Sequence, residues 1–279
     1  MEENPTPAPV RRTFPTVGDI FALLGIVLGI QIVVGLLLTV AAGFTGWKTA
    51  AASPEALGRF NCLMYLAGMS LSLIGALLYR RKRGGTGPVV SFSTARLNPM
   101  MLLWAAILLF AVGIVIEPLL NLLPNPQPEL GRGPWTLLMT VIFAPVLEEL
   151  LCRGVVLGSL RAKYGVVVAW LGSSLFFGIL HLSPMLVVNA CIIGLILGYI
   201  YIATESIWAS MLLHAFNNAV AYAMLAVGGD QLLLIDMIGN RTAYGALYIV
   251  ALFVAIFSAW KIWQAIRAMK AAEKNSAEA

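Results

Sequence analysis

Long apolar runs, separated by short polar stretches, make up most of the sequence. A helix crosses the hydrocarbon of a bilayer with about 20 mainly apolar residues. Eight runs meet or approach that length, at 19–45, 58–79, 100–123, 136–159, 165–183, 185–203, 206–227 and 243–265. Only Ser183 and Pro184 divide the fifth run from the sixth. The pattern predicts an all-α fold, a polytopic transmembrane helix bundle of about eight spans.

The composition also indicates a membrane protein. The chain of 279 residues is 60% hydrophobic and 11% charged, with a mean hydropathy of +0.88. Soluble domains carry about 25% charged residues, so a soluble enzyme is excluded and the bilayer is the expected partner. The net charge of +5 does not predict nucleic-acid binding, because the basic residues cluster at the ends of the apolar runs. The three cysteines lie in such runs and are expected to be free thiols.

The lysines and arginines predict the orientation of the bundle, because cytoplasmic loops are enriched in them. With the N-terminus in the cytoplasm, thirteen of these residues lie on the cytoplasmic side and four on the opposite side. Both termini are therefore predicted to be cytoplasmic. The thirteen are Arg11, Arg12, Arg80, Arg81, Lys82, Arg83, Arg96, Arg161, Lys163, Lys261, Arg267, Lys270 and Lys274, and the four are Lys48, Arg59, Arg132 and Arg241.

The loops between the runs are too short to hold a soluble domain. We divide the chain into a flexible N-terminal tail at 1–18, N-terminal transmembrane helices at 19–135, a helix core at 136–227, and a final transmembrane helix with a cytoplasmic tail at 228–279. The sequence has neither an internal repeat nor an inverted pair of broken apolar runs, which argues against a transporter.

A small set of polar side chains falls inside the predicted spans. A charge at the centre of a bilayer costs roughly 2.5–3.5 kcal/mol even on the mildest scale, so such residues indicate a functional site by default. Glu117 precedes Pro118 and has no basic neighbour within one turn, and we expect it to be structural or in contact with solvent. The main members of the set, which include both histidines of the chain, are Glu117, Glu148, Glu149, Arg153, His181, His214, Asn217 and Asn218, and the lesser members are Gln31, Asn61, Asn121 and Asn189.

Helical spacing separates the two adjacent glutamates. Glu149 and Arg153 are four residues apart, so they share a helix face and can pair. Glu148 is turned by about 100° from Glu149 and by about 140° from Arg153. The spacing predicts that Glu149 is the counter-charge of Arg153, and that Glu148 is free to face the interior of the bundle.

Each histidine has a polar or aromatic neighbour on its own helix face. Phe177 lies four residues before His181, and His214 lies three and four residues before Asn217 and Asn218. Each group alone fits a structural role, as a link between helices. Together with the glutamates they provide a carboxylate, two imidazoles and an amide, which can activate water and stabilise an oxyanion.

Three motifs in this region resemble those of the CPBP family, the CAAX proteases and bacteriocin-processing enzymes also called Abi proteins, and of type II CAAX prenyl proteases in particular. They are EExxxR, FxxxH and HxxxN/D, in the family's order over about residues 140–220. The matching residues are Glu148, Glu149 and Arg153 in APVLEELLCRGVVLGSL, Phe177 and His181 in SLFFGILHLSP, and His214 and Asn218 in ESIWASMLLHAFNNAV.

The resemblance implies an intramembrane endopeptidase whose catalytic core is the segment 136–227. The implied catalytic residues are Glu148 as general base, His181 as its partner, and His214 with Asn218 as the oxyanion group. The implied supporting residues are Glu149, Arg153 and Phe177. Asn217 does not match the motif position and is a second candidate beside Asn218.

The metal dependence of such a site is open at this point. Glu148, His181 and His214 could form a zinc site of two histidines and one carboxylate, with a fourth position for water. The sequence has no HExxH motif, in which two ligands share one helix turn. We favour a glutamate-type mechanism without a cofactor, and zinc is the alternative.

The expected substrate is a membrane-associated peptide or a lipidated protein, and the expected location is the plasma membrane of a prokaryote. The alternative function is that of a non-catalytic membrane scaffold, or a regulator of a membrane signalling protein. Neither the prenylation of a substrate nor an oligomeric state follows from the sequence.

Overall fold

The computed structural model describes residues 14–44, 53–85, 87–124, 129–228 and 234–278 of the chain. Within these ranges the chain forms nine helices and no strand. The helices are α1 (Val17–Phe44), α2 (Pro54–Lys82), α3 (Pro99–Leu120), α4 (Pro134–Tyr164), α5 (Val166–Ile179), α6 (Pro184–Thr204), α7 (Ile207–Gly228), α8 (Leu234–Ile238) and α9 (Arg241–Glu278).

Seven of these helices are long and apolar enough to cross a membrane, which confirms the predicted polytopic helix bundle. The predicted span 165–183 differs, because α5 has only 14 residues. At 1.5 Å per residue it is about 21 Å long, less than the hydrocarbon thickness of about 30 Å. The helix starts after Gly165, whose φ of 85° ends the preceding helix, and it stops before His181. His181 therefore lies in the turn between α5 and α6.

Large apolar side chains remain exposed along α1, α5 and α9, as expected of helix faces that contact lipid. The buried apolar side chains form two clusters. One joins α1, α2, α4 and α5, the other joins α3 and α9, and both include residues of α6 and α7. Helix α4 packs against α2, α5 and α7, so most of the intramembrane polar residues named above lie where these four helices meet.

Helix α4 is irregular on both sides of the adjacent glutamates. It contains two π-helical segments, Met139–Phe143 and Leu150–Leu157, in which the backbone hydrogen bonds span five residues. Such segments are rare in proteins and are frequent at functional sites.

The first π-helical segment links α4 to α7 through a backbone carbonyl that has no hydrogen-bond donor within its own helix. The N–H of Ala144 donates to the carbonyl of Met139, five residues earlier. The next residue, Pro145, has no N–H to donate to the carbonyl of Thr140. This carbonyl accepts instead from Nδ2 of Asn218 on α7, at 2.9 Å.

Both ends of the chain contain more structure than the sequence predicts. Residues 1–13 of the predicted tail lie outside the described part, but Phe14 is only 5% exposed and packs in the first cluster. At the other end, α9 continues through the predicted cytoplasmic tail to Glu278. This extension is rich in Ala, Lys and Glu, which favour helix, and its Glu273 pairs with Arg96 at 2.6 Å.

Glu117 has the structural role that we expect. Its side chain is buried, and its Oε1 accepts from the backbone N–H of Ile235 at 2.8 Å. The carboxylate thus caps the start of α8, where backbone N–H groups have no partner within the helix.

The close packing of α5 on α6 gives a first prediction. A Cβ at Gly178 would overlap Sγ of Cys191 and lie 2.7 Å from the carbonyl oxygen of Val187, which cannot move without shifting α6. We expect Gly178→Ala to destabilise the fold by about 1–3 kcal/mol. Thermal unfolding in detergent tests this, with Gly113→Ala as the control, since a Cβ there meets nothing within 4 Å. Equal melting temperatures would contradict the packing described.

Candidate active site

A fully buried ion pair lies at the centre of the polar group, as the sequence predicts. Nε of Arg153 is 3.1 Å from Oε2 of Glu149, and neither side chain is exposed. Nη2 of Arg153 donates to the carbonyl of Gly194 on α6 at 3.1 Å. Oε1 of Glu149 is 3.0 Å from Nδ1 of His214 on α7. Glu149 and Arg153 thus join α4 to both α6 and α7.

The ring of Phe177 contacts both histidines and the arginine of the site. The side chain is 2% exposed, and its ring makes edge contacts with His181 and His214 at centroid distances of 5.1 and 5.3 Å. The guanidinium of Arg153 lies 4.9 Å from the ring centroid, within the range of a cation–π contact. Phe177 therefore holds both imidazoles and the arginine around one rigid aromatic ring.

Glu148 has different surroundings from Glu149. Its side chain is 13% exposed, and its Oε1 accepts a hydrogen bond from the hydroxyl of Tyr65 on α2 at 2.6 Å. Its Oε2 is 3.8 Å from Nε2 of His214. That distance is too long for a direct hydrogen bond, and a water can bridge two polar groups at such a separation.

The contact with Glu149 orients the ring of His214. A carboxylate oxygen only accepts hydrogen bonds, so Nδ1 of His214 carries a hydrogen in this contact. Its Nε2 then faces Oε2 of Glu148 from the opposite side of the ring. The imidazole is therefore held by one glutamate and presented to the other.

His181 lies outside this chain of contacts. Its Nδ1 is 3.0 Å from the carbonyl oxygen of Phe177, so this nitrogen donates and Nε2 is left open. In the described part of the chain no hydrogen bond or ion pair joins His181 to Glu148. The predicted pairing of these two residues stays a prediction. Leu182, the next residue, has a φ of 61°, which is unusual for a residue other than glycine and fixes the tight turn after α5.

The two asparagines of α7 are joined to each other. Nδ2 of Asn217 donates to Oδ1 of Asn218 at 3.3 Å, and Nδ2 of Asn218 donates to Thr140. An amide nitrogen carries two hydrogens, so the bond to Thr140 leaves Asn218 with one N–H for another acceptor.

Glu148, His181 and His214, the zinc ligands of the alternative mechanism, lie near one another but are not grouped around one point. Among the residues that the structure describes, no group of three or more His, Cys, Asp or Glu side chains is placed to hold a metal ion. Both nitrogens of His214 face glutamates, and Nδ1 of His181 is engaged by a carbonyl. The zinc alternative stays untested, the metal-free mechanism stays a prediction, and we derive no chemical step through a metal.

Tyr65 is the residue of the site that sequence reasoning missed. It lies on α2, 83 positions before Glu148, and belongs to none of the three motifs. Asn61, one turn earlier on the same helix, marks a polar face, and its Nδ2 donates to the carbonyl of Glu129. Only the packing of α2 on α4 reveals that Tyr65 reaches Glu148.

Comparison with known proteins agrees with the motifs. Residues 131–220 match the family model described as Type II CAAX prenyl endopeptidase Rce1-like. A Bacillus subtilis (strain 168) protein named "Putative membrane peptidase YdiL" is 31% identical over 93 residues, which are 33% of this chain and 37% of the relative. The alignment thus spans little more than a third of that protein. No solved structure matches the chain. The resemblance seen in the three motifs is confirmed to this extent: residues 131–220, which contain all three motifs, are similar to type II CAAX prenyl endopeptidases.

Proposed function

We propose that the chain is an intramembrane endopeptidase that hydrolyses a peptide bond of a membrane-associated protein or peptide. The observation that carries the proposal is the partly exposed carboxylate of Glu148, which faces Nε2 of His214 across 3.8 Å. Glu149 and Arg153, which lie behind His214, are fully buried and paired. A hydrolytic water placed between Glu148 and His214 would touch the carboxylate best suited to take its proton, and it would lie beside the imidazole that is assigned to the oxyanion.

The reaction needs only the residues of this chain and one water. Oε2 of Glu148 takes a proton from the water as its oxygen attacks the carbonyl carbon of the substrate. The carbon–nitrogen bond then breaks, and Glu148 returns the proton to the leaving amine, so the carboxylate is ionised again. This is the pattern of general base and then general acid catalysis by one group.

The oxyanion is assigned to His214 and Asn218, as the motif implies. His214 acts as a donor when both ring nitrogens carry hydrogen, and Glu149 then balances its charge at 3.0 Å. One hydrogen on Nδ2 of Asn218 is used in the bond to the carbonyl of Thr140, and the other is available to donate to the oxyanion. On the basis of its motif position, His181 is proposed as a further partner of Glu148. Its Nε2, which is open, is the atom that would pair with Glu148.

The position of the site supports the proposed substrate class. Glu148 is near the middle of α4, the fourth of the helices that can span a membrane, so the scissile bond must enter the bilayer region. The chain is an integral, multi-pass membrane protein, and we propose the plasma membrane of a prokaryote as its location. We also propose that both termini are cytoplasmic, which requires the short α5 to cross the bilayer as well, because seven crossings would place the termini on opposite sides. A peptide or lipidated protein that partitions into the bilayer fits this geometry, because water-soluble chains do not enter it readily.

Comparative peptidomics of cells that produce the wild-type protein or its Glu148→Gln variant tests the proposed function. We expect a small set of membrane-associated cleavage products in the wild type that is missing in the variant. Glu117→Gln is the matched control, since it alters another intramembrane glutamate, and it should behave as the wild type. Products that persist in Glu148→Gln cells would favour the alternative, a scaffold in which the buried Glu149–Arg153–His214 group only links helices.

A metal-free reaction gives a separate prediction. The proposed reaction uses Glu148, His214 and Asn218 directly and needs no metal ion to activate the water. Activity of the purified protein should therefore survive exhaustive chelation. Loss of turnover on chelation, with recovery on addition of Zn²⁺, would show that the mechanism is wrong.

A further inference from the structure

We propose that Tyr65 is a positioning residue of the reaction, whose hydroxyl fixes the carboxylate of Glu148 so that one oxygen is presented to the water at His214. The inference rests on the proposed function and adds a residue of α2 to a site that the motifs place entirely within α4, α5, α7 and the turn after α5. Tyr65 lies outside residues 131–220, the segment that matches the family model.

The hydrogen bond is short enough to restrain the carboxylate. The hydroxyl of Tyr65 lies 2.6 Å from Oε1 of Glu148, in the range of a bond from a hydroxyl to an ionised acceptor. Such bonds are about twice as strong as bonds between neutral groups. Among the described residues this is the one hydrogen bond to the side chain of Glu148.

The bond makes the two oxygens of Glu148 unequal. Oε1 is occupied by Tyr65, and Oε2 faces Nε2 of His214. The last torsion of a glutamate side chain is broad, so an unrestrained carboxylate would turn between several orientations. With Oε1 held, the lone pairs of Oε2 stay directed at the position proposed for the water.

Tyr65 can act as a fixed point because its ring is itself held. The side chain is partly buried and packs against the first apolar cluster, which joins α1, α2, α4 and α5. Helix α2 also packs directly on α4 near the glutamates. The hydroxyl is therefore positioned by the tertiary fold and not by neighbours in the sequence.

The test compares two tyrosines of α2 that each donate to a carboxylate. Tyr65→Phe removes the bond to Glu148, and the control Tyr79→Phe removes a bond of 2.7 Å from Tyr79 to Oδ1 of Asp19. Turnover of a fluorogenic peptide, built on a cleavage site from the peptidomics, is measured with the melting temperature. A misplaced catalytic group can cost up to about 100-fold in rate, so we expect Tyr65→Phe to lower kcat about 10- to 100-fold. KM should change less than about twofold and kcat of Tyr79→Phe should stay unchanged.

A third variant separates positioning from simple stabilisation. Tyr65→4-aminophenylalanine keeps a donor at the same place and should restore most of kcat. The inference is overturned if Tyr65→Phe turns over as Tyr79→Phe does, or if its loss only follows the folded fraction and the amino group does not reverse it. Activity retained by Glu148→Gln would instead overturn the proposed function, and this inference with it.

Discussion

Replacing Arg153 with methionine is expected to leave little folded protein. The guanidinium is fully buried, pairs with Glu149, donates to the carbonyl of Gly194 and lies over the ring of Phe177. Its removal leaves the carboxylate of Glu149 in the interior without its counter-charge. Breaking a buried pair in this way costs about 3–5 kcal/mol, a large part of the stability of a typical protein. The yield of monodisperse protein in detergent and its melting temperature measure the effect.

The double variant Glu149→Gln/Arg153→Met is the matched control for this prediction. It removes both charges together, and a neutral pair in place of a buried ion pair is often tolerated. The glutamine can still accept from Nδ1 of His214 through its carbonyl oxygen. We expect the double variant to be more stable than Arg153→Met alone. If both proteins are equally unstable, the loss comes from packing of the arginine side chain and not from charge.

Replacing Glu148 with glutamine is expected to abolish turnover and spare the fold. The amide has the shape of the carboxylate and can accept from Tyr65, but it cannot take a proton from water. General base catalysis contributes about 10²- to 10⁴-fold, so kcat in the purified protein should fall by about 10³-fold. The side chain is 13% exposed and takes no part in the buried ion pair, so the melting temperature should stay within a few degrees of the wild type.

The two variants should differ clearly: Glu148→Gln should lose turnover and keep its fold, whereas Arg153→Met should lose its fold. Glu117→Gln serves again as the control for turnover, which should match that of the wild type. A Glu148→Gln protein that melts far below the wild type would show that this glutamate, too, mainly holds helices together.

The sequence predicts those features that depend on positions close together along one helix. The Glu149–Arg153 pair follows from a spacing of four residues, and the exclusion of Glu148 from that pair follows from helical rotation. Both are observed, although Arg153 lies in a π-helical segment with a wider turn. The apolar runs likewise predict the spanning helices, because the hydrocarbon thickness sets their length.

Features that depend on contacts between helices do not follow from the sequence. The hydroxyl of Tyr65 reaches Glu148 only because α2 packs on α4. Asn218 donates to Thr140 only because a π-helical turn and Pro145 free a carbonyl. The length of α5 is also misjudged, since the apolar residues Leu180 and Leu182 continue the run although the helix ends at Ile179. Hydropathy alone does not locate such a turn.

The positions of the two histidines relative to Glu148 also do not follow from the sequence. Motif position makes His181 the partner of Glu148, whereas the histidine that faces Glu148 at 3.8 Å is His214. Glu149, read as the counter-charge of Arg153, also orients this imidazole at 3.0 Å. The second glutamate of the pair therefore connects the structural ion pair to the proposed chemistry.

In the proposed mechanism Glu148 activates a water and does not attack the substrate itself. The most direct test is a single turnover in water enriched in ¹⁸O, with enzyme in excess over a peptide substrate and mass spectrometry of both partners. The account predicts that the newly formed carboxylate of the product carries one ¹⁸O atom and that Glu148 stays unlabelled. An unlabelled product together with ¹⁸O in Glu148 would contradict it, because the product oxygen would then have come from the glutamate.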